Sequence, residues 1–234
     1  MVNVKTSYKN ELLELAAGNA EYAEFNKRIV NTSKKVLGGR MGDLRKMAKR
    51  LARDMTDAAD VARFIDAVDA EVFEEVMLAG LVADYAKISD TERIACMQRY
   101  LQLVDSWALT DCFQRMKKFD RAEWWGFANE CLRSEQEFTV RYGAMLLLSN
   151  YLDEAKRVFE RLRTVKHEGY YVKMGMAWLY AEAAIKAYEL TLAEMQNPSL
   201  NVWTRRKALT KMLESYRFDV AQKAEIWALR EKLV

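Results

Sequence analysis

The sequence predicts an all-α fold, an α-solenoid in which pairs of helices stack in series. Apolar residues recur with a period near 3.6 along almost the whole chain of 234 residues, as they do on the buried face of a helix. Strand-like alternation is absent, and one proline and nine glycines leave too few turn residues for a sandwich or barrel. Segments with a similar opening also recur at a nearly fixed interval, which is typical of helical-repeat proteins.

The repeats define the predicted helices in order. First helices open about 31 to 34 residues apart, at Arg40, Phe73, Trp107, Phe138, Tyr171 and Trp203. Second helices lie between them, in DAADVARFIDAVDA, TERIACMQRYLQLV, RAEWWGFANECL and DEAKRVFERLRTV. We expect about twelve to fourteen helices, forming about six repeats in one domain over residues 1–234 that curves into a superhelix with a concave basic groove. HEAT-like pairs fit better than tetratricopeptide repeats, whose signature is absent.

Composition excludes several classes of function. His167 is the only histidine, which removes most zinc sites, Ser-His-Asp triads and two-histidine iron sites. The three cysteines have no metal-like spacing and an odd count, so we expect a reducing, cytoplasmic location without a disulfide framework. Neither a signal peptide nor an apolar run of roughly 18 residues is present, so we expect no membrane association.

Charge is segregated along the chain, although the formal net charge is only +3. Residues 34–53 contain eight Lys or Arg and one acid, whereas residues 54–92 contain eleven acids and two basic residues. Residues 201–217 contain five basic residues and one acid. This pattern predicts a basic surface in one place and a compensating acidic surface elsewhere.

A candidate site emerges when the six first helices are aligned on their opening residues. Offsets of 0, 3, 4 and 7 share one helix face, so Trp107 and Asp111 are neighbours. Arg141 and Trp178 fall on equivalent faces of the next two repeats, and stacking would line all four along the concave surface. The alternative is structural: both tryptophans are core, and Asp111 is an ordinary ion-pair partner of Arg141 or Arg115.

A carboxylate between aromatic walls suits a cationic reacting species. Indole faces attract cations, and an ionised aspartate stabilises developing positive charge. Cleavage of a glycosidic bond passes through an oxocarbenium-like state with that charge. An alkylated purine is already a cationic leaving group, so it needs no general acid. One carboxylate without a histidine is then sufficient.

The sequence resembles a known family, the AlkD-like DNA alkylation repair enzymes, which are HEAT-like-repeat alkylpurine DNA glycosylases. Four segments carry the resemblance, which runs from about residue 25 to residue 234: GGRMGDLRKMAKRL, DSWALTDCF, FTVRYGAMLLLSNYL and YYVKMGMAWLYAEA. The C-terminal segment WTRRKALTKMLESYR also fits. Two departures occur. Gly42 replaces the family's usual proline, and a lysine and an Arg-Glu pair that the family has near Trp178 are missing.

The resemblance implies hydrolysis of the N-glycosidic bond of N3- and N7-alkylated purines in duplex DNA, without a cofactor or metal. We expect the protein to be a monomer. The resemblance also implies that Asp111 stabilises the sugar cation and positions water, while Trp107 and Trp178 pack on the deoxyribose. Arg141 would hold a backbone phosphate near the lesion. Further candidates for phosphate contacts are Arg45, Lys46, Lys49, Arg205, Arg206, Lys207 and Lys211, alternatively solvated surface charges.

Two other functional interpretations stay open at this stage. The first is a non-enzymatic helical-repeat protein that binds nucleic acid or protein partners and has lost catalysis, which the missing charges near Trp178 favour slightly. The second is a peptide-binding scaffold without DNA affinity. No lysine occupies an obvious Schiff-base position, so the enzymatic interpretation is a monofunctional glycosylase without lyase activity.

Overall fold

A computed structural model of the chain describes residues 4–113, 116 and 118–233; for residues 4–7 it describes the backbone alone. Within these ranges the regular structure is helical, and the only strand-like feature is an isolated bridge between Lys35 and Val72. The predicted all-α class of stacked helical repeats is therefore confirmed. A membrane crossing is not supported by any helix in the described part of the chain, since none is sufficiently long and apolar.

The chain divides into two compact units, residues 1–113 and 114–234. The first unit contains α1 (Val4–Ala16), α2 (Ala20–Val30), α3 (Met41–Arg53), α4 (Ala58–Ala67), α5 (Phe73–Tyr85), α6 (Asp90–Leu101) and α7 (Trp107–Asp111). Helices α3, α5 and α7 pack side by side, and α4 packs on α6. These are the first and second helices of the predicted repeats, and their predicted openings lie within one residue of the observed ones.

The second unit repeats this pairing. It contains α8 (Arg121–Cys131), α9 (Glu137–Asn150), α10 (Ala155–Leu162), α11 (Tyr170–Lys186), α12 (Tyr188–Met195), α13 (Val202–Glu214) and α14 (Val220–Lys232), with a 3-10 turn at Leu152–Glu154. Helix α11 packs between α9 and α13. The predicted single domain, the curvature and the concave groove stay predictions.

Two acids at the beginning of α5 correct the predicted acidic surface, because both are buried. Glu74 accepts hydrogen bonds from three consecutive main-chain N–H groups before α3, those of Leu37, Gly38 and Gly39. Glu75 accepts hydrogen bonds from the Tyr8 hydroxyl and the main-chain N–H of Asp69. A buried carboxylate satisfied in this way is a structural group, so part of the acidic segment holds the first unit together.

Candidate functional site

Helix α7 carries two of the predicted site residues and is only five residues long. Trp107 is its first residue and Asp111 its last, so the two side chains lie one turn apart on one face. Ser106 is its N-cap, with a side chain that accepts a hydrogen bond from Ala108 N. A helix this short is unstable in isolation. The position of Asp111 therefore depends on groups outside the helix.

The beginning of α7 is fastened to the end of α2. The indole Nε1 of Trp107 donates to the main-chain oxygen of Ile29 at 3.1 Å, and the Ser106 hydroxyl donates to that of Val30 at 2.5 Å. Both carbonyls belong to the last turn of α2, where they lack helical partners. Asp105 adds hydrogen bonds from Thr32 and Ser33. These bonds fix the plane of the Trp107 ring, which is half-buried.

The end of α7 is held by two side chains. The hydroxyl of buried Tyr100 donates to the main-chain oxygen of Leu109 at 2.8 Å. The Arg45 guanidinium on α3 donates to the main-chain oxygen of Cys112, directly after Asp111, and to the Tyr85 hydroxyl at 3.0 Å. The helix is thereby held at both ends.

A glycine on α5 makes the Tyr100 contact possible. A Cβ at Gly80 would lie 2.6 Å from Tyr100 Cζ and 3.0 Å from Phe113 Cζ. The distance to Tyr100 Cζ is shorter than unbonded carbon atoms adopt, so any larger residue would displace the tyrosine ring. The absence of a side chain at Gly80 therefore lets Tyr100 pass α5 to reach α7.

Asp111 is half-buried. Its Oδ1 lies 2.7 Å from Thr110 Oγ1, which also lies 2.8 Å from the main-chain oxygen of Trp107. The predicted alternative partner Arg115 lies outside the described residues. A carboxylate held on a fastened helix and partly open to solvent can accept a hydrogen bond from water and stabilise a nearby positive charge.

A second carboxylate, Asp84 on α5, lies within the electrostatic influence of Arg45 and of Arg93 on α6. Burial raises the pKa of Asp84 to about 6, although both arginines oppose this shift. Arg93 closes the end of α5 by donating to the main-chain oxygens of Ala83, Asp84 and Ala86. Asp84 is an ionisable group that the sequence analysis missed; a charge inside an apolar run on α5 was its only signal.

The first predicted basic cluster divides by environment. Arg45 is half-buried and uses its guanidinium on internal partners, as described above. Lys46 has 83% of its side chain exposed and lies 3.2 Å from Asp43, one turn earlier. Lys49 is exposed, with its Nζ 5.2 Å from the centre of the Tyr85 ring. The two lysines therefore present positive charge to solvent from the same helix that fastens α7.

Trp178 on α11 is 36% exposed, so it is a surface residue of the second unit and not part of its core. Its indole Nε1 lies 3.4 Å from Glu182 Oε1, and Glu182 lies 3.7 Å from Arg217. On the same face of α11, Tyr171, Met174 and Glu182 are half-buried, and Trp178 is the exposed residue among them. The aromatic side chain that the sequence singled out is thus available at the surface of this unit.

Arg141 on α9 is buried, with 4% of the residue exposed. Its Nη1 donates to the main-chain oxygen of Tyr171 on α11 at 2.7 Å. A Cβ at Gly175 would lie 3.2 Å from that nitrogen, so the glycine leaves room for the guanidinium to cross the helix. The structure therefore places Arg141 between α9 and α11.

Two lysines on α13 extend this positive region. Burial and the nearby charge of Lys207 lower the pKa of Lys211; Arg141 lowers it further, while Glu214 acts in the opposite direction. The electrostatic coupling shows that Lys207, Lys211 and Arg141 share one neighbourhood within the second unit. A concentration of like charge of this kind favours binding of an anion.

The other two arginines of this predicted cluster have internal partners. Arg205 donates to the main-chain oxygen of Met195 at 3.4 Å, beside the end of α12. Arg206 donates to the main-chain oxygen of Leu233, at the end of α14. Both side chains thus satisfy carbonyls that lack helical partners. In the predicted pair of basic clusters, Lys46, Lys49, Lys207 and Lys211 make no such contact to a carbonyl of the described residues.

Stacked helix pairs, with an acid and an indole one turn apart on a fastened helix, define a helical-repeat protein with a candidate acid site. A comparison with protein families identifies which family of helical-repeat proteins this is. The family model described as DNA alkylation repair enzyme matches residues 10–212, and the chain belongs to that family. No curated protein matches the chain. Family membership places the protein in DNA repair, which confirms the predicted resemblance at the family level.

Proposed function

We propose that this protein is a monofunctional DNA glycosylase that hydrolyses the N-glycosidic bond of cationic N3- and N7-alkylated purines in duplex DNA. The family supports the coarser part of this proposal, a DNA substrate and an enzyme of alkylation repair. We further propose that it acts as a monomer, in the cytoplasm. The observation that carries the chemical part is the anchoring of α7, the helix that carries Asp111, by hydrogen bonds to groups on three other helices, α2, α3 and α6.

In the proposed reaction, Asp111 stabilises positive charge on the deoxyribose as the bond to the base lengthens. Electrostatic stabilisation is effective when the charged group is already in place and need not reorganise. The alkylated purine leaves as a neutral base, so no group is required to protonate it. Asp111 also accepts a hydrogen bond from the water that adds to the sugar cation, and it takes up the proton that this water loses before releasing it to solvent. Hydrolysis is then complete without a covalent enzyme intermediate.

The tryptophans contribute aromatic surfaces to the proposal. Hydrogen bonding of the Trp107 Nε1 to α2 leaves its ring fixed, so the ring can pack on the deoxyribose and stabilise its positive charge through the π face. Trp178 offers an exposed indole in the second unit, and we propose the same role for it. The proposed contact of Trp107 with the deoxyribose uses the face of its ring. It is therefore compatible with the hydrogen bond from the indole N–H to α2.

The basic side chains bind the DNA backbone in this proposal. Lys46 and Lys49 on α3, and Lys207 on α13, donate to no main-chain carbonyl in the part of the chain that the structure describes. Arg141, Arg205 and Arg206 remain proposed phosphate contacts, each of which also donates to a main-chain oxygen. Contacts of this type set affinity and position, carry no sequence information and weaken with salt.

The test is release of 7-methylguanine from methylated duplex DNA. We expect Asp111→Asn to lower the rate constant by about 100-fold or more while affinity for the DNA is retained. Asp153→Asn is the matched control, since Asp153 is an exposed acid of the second unit; its rate should equal that of the wild type. Unchanged base release by Asp111→Asn would refute the proposed role of this carboxylate.

A second candidate is a DNA-binding helical-repeat protein without catalysis. The burial of Arg141 and its bond to Tyr171 favour it, because the group proposed to hold a phosphate near the lesion is engaged inside the second unit. This candidate predicts salt-sensitive DNA binding with no release of 7-methylguanine by the wild type. A lack of DNA affinity at low salt would remove both candidates.

A further inference from the structure

A cationic cleft of about 530 Å³ lies in the second unit. It is formed by the turn between α8 and α9 and the turn between α10 and α11. The polar residues that matter for its chemistry are Arg133, Ser134, Glu135, Arg161, Lys166 and His167. The cleft therefore lies at the end of the helix pairs where α9 and α11 begin, more than two helical turns from Trp178 along α11.

The cations of the cleft lack the acidic partners that other arginines of this unit possess. Arg121, Arg157 and Arg163 each form an ion pair with a glutamate or aspartate. In the described ranges no carboxylate lies within ion-pair distance of Arg133, Arg161 or Lys166. Three cations thus share the cleft with one acid, Glu135, and carry uncompensated positive charge.

The uncompensated positive charge of the cleft affects the environment of Arg161. Its Nη2 donates to the main-chain oxygen of Asn129 at 3.0 Å, whereas its Nε is buried and has no acceptor among the described residues. Burial, together with repulsion from Arg133, lowers the pKa of Arg161. A buried guanidinium nitrogen without an acceptor is unfavourable. An anion beside the guanidinium would offset both the repulsion and the loss of hydration.

His167 fixes the shape of the cleft by joining its two turns. Its Nδ1 accepts a hydrogen bond from the main-chain N–H of Gly169 at 3.0 Å, so in the neutral ring the proton is on Nε2. Nε2 then donates to the main-chain oxygen of Glu135 at 3.1 Å. The cations on both turns are therefore held in a preformed site, which lowers the entropic penalty of binding.

We propose that this cleft binds a phosphate group, with the side chains of Arg133, Arg161 and Lys166 as its donors. Guanidinium groups match the geometry of phosphate oxygens and form charge-assisted hydrogen bonds to them. Two sources supply this chemistry: a free phosphate or phosphomonoester, and a phosphodiester of the DNA backbone. The inference does not depend on glycosylase activity, since it concerns binding by residues outside the proposed catalytic set.

The experiment measures binding of inorganic phosphate to the full-length protein by isothermal titration calorimetry. Arg133→Gln and Lys166→Gln remove charge without removing a hydrogen bond within the described part of the chain. Lys156→Gln on α10 is the matched control, because Lys156 is an exposed lysine outside the cleft. We expect each cleft variant to weaken phosphate binding by about tenfold, with an unfolding midpoint no lower than that of the control.

Binding to undamaged duplex DNA, followed by fluorescence anisotropy against salt concentration, separates the two sources. The slope of log K against log salt is negative. If the cleft holds a backbone phosphate, each variant makes this slope less steep by about one. If its ligand is a free phosphate, the variants weaken phosphate binding and leave that slope unchanged. Phosphate affinity and salt slope both equal to those of the Lys156→Gln control would overturn the proposal.

Discussion

The Arg45 guanidinium, on α3, donates a hydrogen bond to the main-chain oxygen of Cys112, the residue that follows Asp111. The same guanidinium donates to the Tyr85 hydroxyl at the end of α5. Arg45 thus joins α3, α5 and the end of α7, the three first helices of the first unit. Because α7 has no second turn to stabilise it, this contact bears directly on where the proposed catalytic carboxylate lies.

We predict that Arg45→Met lowers the rate of base release by about 100-fold, because a small displacement of a reacting group can change a rate to that extent. Single-turnover kinetics on methylated duplex measure this effect. Arg53→Met, on the same helix, exposed and outside the proposed DNA contacts, is the control and should leave the chemical rate nearly unchanged.

Arg45 has two possible roles, positioning of α7 and the phosphate contact that the sequence predicted. The salt dependence of DNA binding distinguishes between them. If Arg45 acts through α7, the slope of log K against log salt stays at its wild-type value in Arg45→Met. A slope reduced by about one indicates a phosphate contact and would contradict the positioning role. Arg45→Lys should recover little activity, because an ammonium group does not reproduce the planar fork that reaches two acceptors.

Tyr100 offers a second test of the anchoring of α7. Tyr100→Phe leaves the buried Leu109 carbonyl without this donor, which should lower the free energy of unfolding by about 1–3 kcal/mol. Tyr151→Phe is matched in chemistry, since the buried Tyr151 hydroxyl donates to the main-chain oxygen of Arg121 at 2.7 Å in the second unit. Urea denaturation should show similar losses for both variants.

Only Tyr100→Phe should also slow base release, by about tenfold, at a temperature far below either unfolding midpoint. The reason is that Leu109 belongs to α7, whereas Arg121 begins a helix of the other unit. Equal base-release rates for the two variants would show that Tyr100 contributes stability alone.

The helices were predictable because their signal is local. The buried stripe of a helix repeats every 3.6 residues, and the recurrence of the pattern placed the openings at Phe73, Trp107 and Phe138 within one residue of the observed helices. The N-caps are local as well: Ser106 caps α7, and Ser89 forms a capping box with Glu92. Such features depend on residues a few positions apart.

The partners of charged residues were not predictable, because they lie far apart in the sequence. Glu74 is buried beneath the Leu37–Gly39 segment, and Arg45 reaches Cys112 across 67 positions. From composition alone, an acid in a charged segment and an arginine in a basic cluster are surface residues. Periodicity correctly marked Trp107 and Asp111 as neighbours on one helix, but it contained nothing about the contacts that fasten that helix.

Asp84 predicts a pH dependence of stability. Its pKa is about 6 in the folded protein, against 3.8 as the ordinary value, because burial disfavours the charged form. A raised acid pKa means that the folded state binds the proton more tightly than the unfolded state. Asp84 therefore stabilises the fold increasingly as the pH falls below 6, and its ionisation destabilises the fold above 6.

The measurement compares the wild type with Asp84→Asn by urea denaturation at pH 7.5 and pH 4.5. Over that interval we expect the wild type to gain about 2 kcal/mol relative to the variant, since the variant has no titrating group at this position. Asp66→Asn, at an exposed acid paired with Arg99, is the control. A relative gain no larger than that of the control would show that the carboxyl of Asp84 is not buried in solution.

The exposure of Trp178 allows a test of its function, because replacing an exposed side chain changes the free energy of unfolding little. With 36% of the residue exposed on α11, Trp178→Ala should lower the free energy of unfolding by less than about 1.5 kcal/mol. If its indole packs on the deoxyribose as proposed, the same substitution should slow base release by about tenfold, while Trp178→Phe retains part of the rate because it keeps an aromatic face.

Two further variants make the Trp178 test specific. Trp227→Ala removes a 55% exposed tryptophan from α14 and should leave base release unchanged. Glu182→Gln tests the contact to the indole Nε1. If Glu182 orients the ring, this variant slows base release, but by a smaller factor than Trp178→Ala does. Equal rates for Trp178→Ala and Trp227→Ala would mean that Trp178 is a surface residue of the second unit without a role at the lesion.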